Sequence, residues 1–322
     1  MKNVEEEFHV QFVATIREKL PERGRVANAL IDLLCVEKEG VYRRLRGEVP
    51  FTFSEIMKIS NYYNISLDNL IGIVSPYRSK SLHLHIQNYF DMSEVDYKMS
   101  RDYITAIQQA SGSPYAEFGF ATNILPLHAS VLHPPLFRFY MLKWMYQFGD
   151  SKSVLPYSAI HISPELREFH DQYIASSRLI KYTYIIWDEF FLLHLISDIQ
   201  YFHSIRLLTE AEVALLKSEI EHLLQNIEKL SIRCSFPNGN KIDMFISNIH
   251  LETSYSYLST DKMYISMIDA FTLGAVTSLE SSVCDQMKTW MHSLKRTATL
   301  ISGTEKPRID FFERQWKWVE KL

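Results

Sequence analysis

The chain has 322 residues, 47% hydrophobic and 22% charged, with a formal net charge of −4, an ordinary soluble composition with length for about two domains. Its most apolar window, from Tyr182 to Ile196, carries charged residues and is too short to span a bilayer, which excludes a membrane span there. Three cysteines lie far apart, at Cys35, Cys234 and Cys284, and exclude a disulfide framework.

The first part of the chain is predicted to be helical. It begins with an acidic run rather than a secretory signal peptide, so we expect a cytoplasmic protein. A first helix is predicted from Glu5 to Lys19. A second runs from about Val26 to Leu34, where apolar residues recur at helical spacing on one face. A tight corner at Cys35 and Val36 follows and leads into a third helix.

The third helix carries a charged face. Val41 and Leu45 are four residues apart and point the same way, into a core. At about 100° per residue, the side chains that project away from that core are Glu39, Tyr42, Arg43 and Arg46, with Lys38 and Arg44 on the flanks. A short apolar helix, a corner and an arginine-bearing helix in succession predict a helix-turn-helix.

Two further helices complete this module. Gly47 is predicted to end the third helix, because glycine adopts the left-handed conformation found at helix ends at the lowest cost. Thr52 and Glu55 form a capping box, so a fourth helix is expected to begin at Phe53. A fifth short helix is predicted from Ser66 to near Gly72. The prediction is therefore a five-helix domain over residues 1–74.

These residues resemble the N-terminal module of BetR-type and XRE-type bacterial transcriptional regulators. The segments that carry the resemblance are Val41-Tyr42-Arg43-Arg44-Leu45-Arg46-Gly47, Pro50-Phe51-Thr52-Phe53 and Ile65-Ser66-Leu67-Asp68. It covers roughly the first 75 residues, a normal size for such a module. The resemblance implies a DNA-binding domain whose third helix lies in the major groove.

The resemblance also implies roles for individual side chains. In this family the N-terminal residues of the recognition helix read base edges. The base readers implied here are Lys38, Glu39 and Arg43. Tyr42 is implied to contact a thymine methyl group or a phosphate. The phosphate contacts implied are Arg25, Arg44 and Arg46.

Two positions depart from the family pattern. Cys35 stands where the turn usually has glycine, and a non-glycine residue in a left-handed turn is strained. Glu37 stands where serine or threonine usually caps the recognition helix. A carboxylate suits a helix N-terminus, but this one would lie near phosphates.

Charge in the N-terminal module is local rather than global. Residues 1–75 hold ten Lys or Arg against eleven Asp or Glu, so this is no basic domain. Between Arg23 and Arg46, six basic residues stand against three acidic ones. This stripe suffices for phosphate contact, with weak and salt-sensitive long-range attraction.

A second domain, residues 82–322, is expected after an exposed linker at residues 75–81, where proline and small polar residues stop helices. Helices are expected at residues 93–109, 136–148, from 164, 179–203, 213–230, 278–300 and 306–321. Thr209 and Glu212 form a capping box ahead of a heptad seam at 213–230. That seam is expected to pack inside its own domain, with an intermolecular coiled coil as the alternative.

A small antiparallel sheet is expected in the second half of this domain. A hairpin is predicted around the Asn238-Gly239 turn, with strands at residues 232–236 and 242–249. Strands at residues 254–258 and 263–268 follow. The fold class predicted is therefore mainly α: a five-helix helix-turn-helix domain plus a larger, mostly helical second domain that carries this sheet.

The sequence contains no glycine-rich phosphate loop, Gly-x-Ser-x-Gly, Cys-x-x-Cys or His-Glu-x-x-His motif. His83 and His85 would share one side of a strand, but no cysteine or carboxylate clusters beside them, so no metal site is predicted. Cys284 or Cys234 with His250 would suit a nucleophile and a base, although small buried thiols are the commoner explanation.

Two carboxylates, Asp188 and Glu189, stand among aromatic residues of the helix expected at 179–203. Such carboxylates either lie on the wet side of a helix or hold a ligand. The wet side is the favoured interpretation.

The function predicted is a sequence-specific DNA-binding transcriptional regulator, not an enzyme, that reads its operator through residues 37–46. A bacterial homodimer is expected, because one recognition helix offers little affinity and a dimer doubles the contacts. The second domain would dimerise and sense an unidentified small ligand, and no cofactor is predicted. The alternative is a protein-interaction module with a helix-turn-helix shape and no DNA binding.

Overall fold

The computed structural model describes residues 4–20, 25–63, 65–67, 70–71, 83–86, 92–148, 155–270 and 272–322. The chain divides into two units, Met1–Ser81 and Leu82–Leu322. The expected linker at residues 75–81 lies outside the described residues, and the fifth helix expected from Ser66 to Gly72 falls largely outside them.

The first unit contains the four helices expected before that point. They are α1 (Val4–Lys19), α2 (Arg25–Leu34), α3 (Lys38–Arg46) and α4 (Phe53–Tyr63). One apolar face of each helix enters a common core, because three- and four-residue spacing places those side chains on one side. The most buried core residues are Phe12, Ile16, Leu30, Val41 and Ile59.

Within its described residues, the second unit is built on an eight-stranded mixed sheet in the order β1-β7-β6-β5-β2-β3-β4-β8. The strands are β1 (His83–Ile86), β2 (Glu117–Thr122), β3 (Tyr182–Trp187), β4 (Lys241–Ile246), β5 (Tyr255–Ser259), β6 (Tyr264–Ala270), β7 (Gly274–Ser278) and β8 (Thr299–Leu300). Strands β2, β3 and β4 are parallel neighbours, and the other pairs are antiparallel.

Helices cover both faces of the sheet. They are α5 (Glu94–Ser111), α6 (Leu127–Ser130), α7 (Pro134–Phe148), α8 (Pro164–Ser177), α9 (Phe191–Ser204), α10 (Glu210–Arg233), α11 (Ser281–Thr297) and α12 (Glu305–Val319). The main core joins one sheet face to α7, α9, α10 and α12, whereas α11 covers the opposite face. Side chains alternate along β3, so that Ile185 and Trp187 enter the first core and Tyr184 and Ile186 the second.

The expected fold class is wrong for this unit, because the sheet is large and mixed rather than small and antiparallel. The helix expected at 179–203 is strand β3 followed by α9. A parallel strand covered on both faces is apolar all along, so Tyr182–Trp187 lacks the alternation that identifies a half-exposed strand. Strand β2 was missed for the same reason. Residues 232–236 are not a strand: α10 runs to Arg233, and Ser235 makes one isolated bridge to Lys241.

Several local predictions in this unit are confirmed. Ser93 and Thr209 each form a capping box, with Asp96 and Glu212, and Ser163 caps α8. The heptad seam of α10 is buried inside its own unit, in contact with the main core. Strands β4, β5 and β6 lie close to their expected positions.

Candidate nucleic-acid interface

The corner between α2 and α3 is left-handed at a cysteine. Cys35 has φ 54°, and its N–H donates to the Ile31 carbonyl at 2.9 Å. A side chain in this conformation is strained by roughly 1–2 kcal/mol relative to glycine. The Val36 side chain packs closely against the backbone of α3 at Gly40. A side chain at this position would prevent that contact, since a Cβ there would lie 2.9 Å from Val36 Cγ1. The corner therefore keeps its tight geometry at a cost in stability.

The two ends of α3 differ in how well they are capped. Glu37 occupies the N-cap with φ −57° and ψ 149°, and its side chain makes no capping hydrogen bond. Gly47 ends the helix in the left-handed region, at φ 80°, and its N–H reaches the Arg43 and Arg44 carbonyls. The predicted stop at Gly47 is confirmed. The uncapped first turn leaves backbone N–H groups at the N-terminal end of α3 without a side-chain partner from the N-cap, a geometry that suits an anionic group.

Arg44 connects α3 to α4. Its Nε lies 2.9 Å from Glu55 Oε2, and its Nη1 donates to the Gly40 carbonyl at 3.1 Å. The two charged side chains are only 16% and 13% exposed. Glu55 also accepts the Thr52 N–H at 2.8 Å, as the capping box predicts. Arg44 is thus held within the unit.

The pKa of Glu55 reflects this arrangement. Burial by itself would raise it, but the hydrogen bonds from Arg44 and from the Thr52 N–H lower the pKa of Glu55 on balance. The carboxylate is therefore charged wherever the pair is intact. The pair joins α3 directly to the helix that follows it.

The remaining residues of interest on α3 face solvent. Lys38, Glu39, Tyr42, Arg43 and Arg46 are all exposed. The Lys38 ammonium lies 6.0 Å from the centroid of the Tyr42 ring. The helical spacing of these five residues thus produces one polar face beside the buried Val41 side. At Arg25 the structure describes the backbone, which begins α2, and not the side chain.

The exposed arginines of α3 form ion pairs with neighbouring carboxylates. Arg46 pairs with Glu48 at 2.7 Å and with Glu39 at 3.1 Å, and Arg43 lies 3.6 Å from Glu48. The hydrogen bond with Arg46 lowers the pKa of Glu48, and the bonds with Glu48 and Glu39 raise the pKa of Arg46. Phosphate oxygens would have to displace these carboxylates from the same guanidinium donors.

Sequence reasoning missed that Glu48 pairs with Arg46, and that Glu55, besides its confirmed place in the capping box, pairs with Arg44. A signal for Glu55 was present, because the capping box already fixes its carboxylate beside the start of α4. Glu48 lies directly after Gly47, whose left-handed turn brings the chain back over the last turn of α3. The side chains brought together at this surface are therefore three cations, Lys38, Arg43 and Arg46, and three carboxylates, Glu37, Glu39 and Glu48.

The groups of the second unit that could take part in catalysis are buried or are held by hydrogen bonds and ion pairs within the unit. Asp188 is buried, not on a wet helix face as expected: it follows β3 and accepts the N–H groups of Phe190 and Leu251, each at 2.9 Å. His250 pairs with Asp188 at 2.8 Å. Burial raises the pKa of the Cys284 thiol to about 11, which keeps it neutral near pH 7.

Neither a metal cluster nor a membrane-spanning helix is found in the part of the chain that the structure describes. No group of three or more His, Cys, Asp or Glu there could hold a metal ion. The side chains of His83 and His85 lie outside that part. None of its helices combines the length and apolar character needed to cross a bilayer.

The four helices, the tight corner and the polar face of α3 define a helix-turn-helix module. Residues 11–96 match the family model of the BetR domain, a helix-turn-helix DNA-binding family, so the BetR-type resemblance is confirmed. That family is regulatory rather than enzymatic. The matched region extends past the first unit to the start of α5. Comparison with curated proteins and with solved structures gave no significant match.

Proposed function

We propose that the protein is a transcriptional regulator of the bacterial cytoplasm that binds a specific double-stranded DNA operator through α3, as a homodimer. The observation that carries the proposal is the polar face of α3, which stands out from the helical core in a region matching the BetR family. In helix-turn-helix proteins this helix enters the major groove. The second unit is proposed to supply dimer contacts.

The residues proposed to contact DNA divide by their position on α3. Lys38, Glu39 and Arg43 are proposed to read base edges, with Tyr42 against a thymine methyl group or a phosphate. Arg46, in the last turn, is proposed to contact a phosphate. Arg25, at the start of α2, is proposed to do the same.

Arg44 is proposed to act differently. The resemblance implies a phosphate contact, but the guanidinium is held by Glu55 and the Gly40 carbonyl. We therefore propose that Arg44 positions α3 against α4 so that its neighbours meet the groove. Loss of Arg44 would then weaken DNA binding through the fold and leave the number of phosphate contacts unchanged.

The experiment that tests the proposal is selection of random duplex DNA by the full-length protein at moderate salt, followed by sequencing. A palindrome with half-sites about one helical turn apart is expected from a dimer of such modules. Recovery of no enriched sequence by a folded protein would contradict sequence-specific binding. Light scattering that gives a monomer at micromolar concentration would contradict the homodimer.

Three variants assign the contacts. Arg43→Ala should lose discrimination between operator and random DNA, whereas Arg46→Ala should weaken binding to all sequences alike. Lys58→Ala is the matched control, because Lys58 is an exposed cation on α4, outside α3. Unchanged binding in both arginine variants would show that α3 is not the recognition helix.

The alternative function is a protein-interaction module of the same shape. The observation that favours it is the balance of charge on α3, where carboxylates occupy the arginines. This alternative predicts that a protein partner stays bound at high salt, and that the protein shifts no DNA duplex in a gel-shift assay. A gel-shift assay beside a binding assay for the partner separates the two functions, because the alternative predicts that the partner binds while no duplex is shifted.

A further inference from the structure

A cavity of about 500 Å³ lies inside the second unit, between α8 and α10 and over the parallel strands. This volume is within the range of small-ligand sites. The strand side chains that line it come from β2, β3 and β4 and include Phe118, Phe120, Thr183, Ile185, Trp187, Ile242 and Met244. The cavity is therefore an apolar chamber on the sheet face covered by most of the helices.

Two residues that line this chamber each carry a buried polar atom without a hydrogen-bond partner among the described residues. Thr183 Oγ1 and Trp187 Nε1 have none within the described residues, and their residues are only 4% and 2% exposed. A buried polar group without a partner is costly and rare in native proteins. Both residues belong to β3 and face the same chamber. A ligand that fills the chamber could satisfy both groups.

One end of the chamber is positively charged. Of the described residues that line it, the charged ones are Arg178, Lys229 and Arg233, and none is a carboxylate. Among the described residues none of these three cations has an ion-pair partner. Arg178 directly follows α8, and Arg233 ends α10. The turn at Phe236 and Pro237 lines the same end, and Asn238 anchors this turn to the Arg178 carbonyl at 2.7 Å.

The polar groups are arranged along the length of the chamber. Thr183 lies near the amino end of β3 and Trp187 at its carboxyl end, about 13 Å apart at the usual rise per residue. Apolar side chains, among them Ile185 and Met244, line the cavity between them. An indole N–H only donates a hydrogen bond, so the group that reaches Trp187 must be an acceptor.

We propose that this chamber binds a small amphipathic carboxylate, with its head at Arg178, Arg233 and Thr183 and its apolar body along β3. The far end of the ligand carries a hydrogen-bond acceptor for Trp187. A medium-length fatty acid with an oxygen at its ω end has this chemistry. The site does not depend on DNA binding; in a regulator it would be the sensor.

The test measures binding to the full-length protein by calorimetry and by NMR of the indole N–H signals, without DNA. The probes are dodecanoate and ω-hydroxydodecanoate, each below its critical micelle concentration, and dodecanol below its solubility limit. The Trp187 signal is assigned by its loss in Trp187→Phe. We expect one site, tightest for ω-hydroxydodecanoate, about tenfold weaker for dodecanol, and a Trp187 shift with the hydroxy acid that dodecanoate does not produce.

Variants test each end of the chamber. Arg178→Gln should weaken binding of both acids about tenfold and leave dodecanol unchanged. Arg167→Gln is the matched control, because Arg167 is exposed on the same helix and does not line the chamber. Thr183→Val should raise the melting temperature of the free protein and weaken acid binding several-fold, because it removes an unpartnered hydroxyl. A purely structural threonine would change the melting temperature alone.

Two outcomes would overturn the proposal. Absence of binding by all three probes, with the Trp187 signal unchanged, would rule out an amphipathic ligand. Equal binding of dodecanol and dodecanoate, unaffected by Arg178→Gln, would rule out the carboxylate head. Neither outcome bears on α3, so failure of this site is distinguishable from failure of the DNA-binding proposal.

Discussion

Replacing Arg44 by methionine separates a positioning arginine from a DNA-contacting one. The variant Arg44→Met keeps an unbranched side chain but loses the guanidinium that pairs with Glu55 at 2.9 Å and donates to the Gly40 carbonyl at 3.1 Å. A hydrogen bond to a charged group contributes about 1.5–3 kcal/mol, and partial exposure of this pair reduces that figure. We expect a loss of about 2 kcal/mol from the first unit.

Two measurements on the full-length protein form the assay. They are the melting temperature in thermal unfolding and the DNA affinity as a function of salt concentration. For a unit of this size, about 2 kcal/mol lowers the melting temperature by roughly 8–16 °C. The control, Arg46→Met, alters a half-exposed arginine and should leave the melting temperature unchanged. It should instead reduce the salt slope of DNA binding by about 0.9 per protomer, which Arg44→Met should not.

A double-mutant cycle with Glu55→Gln checks the origin of the effect. The coupling between Arg44 and Glu55 should be about 1–2 kcal/mol, because each variant removes the same ion pair. The reasoning would be refuted if Arg44→Met melted like the wild type and lowered the salt slope as Arg46→Met does. Arg44 would then contact phosphate.

Three further predictions follow from single residues. Glu48→Gln should strengthen DNA binding about two- to fivefold at low salt in a gel-shift assay, because it frees Arg43 and Arg46 from a competing carboxylate. Unchanged binding would show that Glu48 does not compete with the DNA phosphates. Cys35→Gly should stabilise the first unit by about 0.5–1 kcal/mol in denaturant unfolding. Glycine removes the strain of a side chain at φ 54°, and this gain exceeds the cost of the greater backbone entropy that glycine has in the unfolded state. Burial lowers the pKa of His170 to about 4, below its unfolded value of about 6.5. Between these two pH values the unfolded state binds more protons than the folded state. The free energy of unfolding should therefore fall by up to about 3 kcal/mol as the pH falls from 6.5 to 4. His170→Gln should flatten that pH profile, and an equally steep profile in the variant would assign the loss to other groups.

Sequence predicted the local features of this fold well and the sheet poorly. Caps at Ser93 and Thr209 and the stop at Gly47 depend on a few adjacent residues, so their signals are complete within a short window. After their first residue, strands β2 and β3 are buried on both faces, which removes the period that separates a strand from a buried helix. The mainly α prediction failed at that point.

The candidate sites show the same limit. Helical spacing correctly placed Tyr42, Arg43 and Arg46 on an exposed face. The partner of Arg44 lies on another helix, and the angle between helices is not written in local spacing. Thr183 and Trp187 look like ordinary strand residues, because their missing partners become visible only once the surrounding helices are in place.

The carboxylates around Arg43 and Arg46 have a consequence for how such a regulator would find its operator. A surface with balanced charge attracts the DNA backbone weakly, so the protein would spend little time on the many non-specific sites of a genome. More of it would stay free, and fewer copies per cell would be needed to fill an operator. Residence times on non-specific DNA should therefore be short and should lengthen in Glu48→Gln; equal residence times would show that these carboxylates do not govern the search.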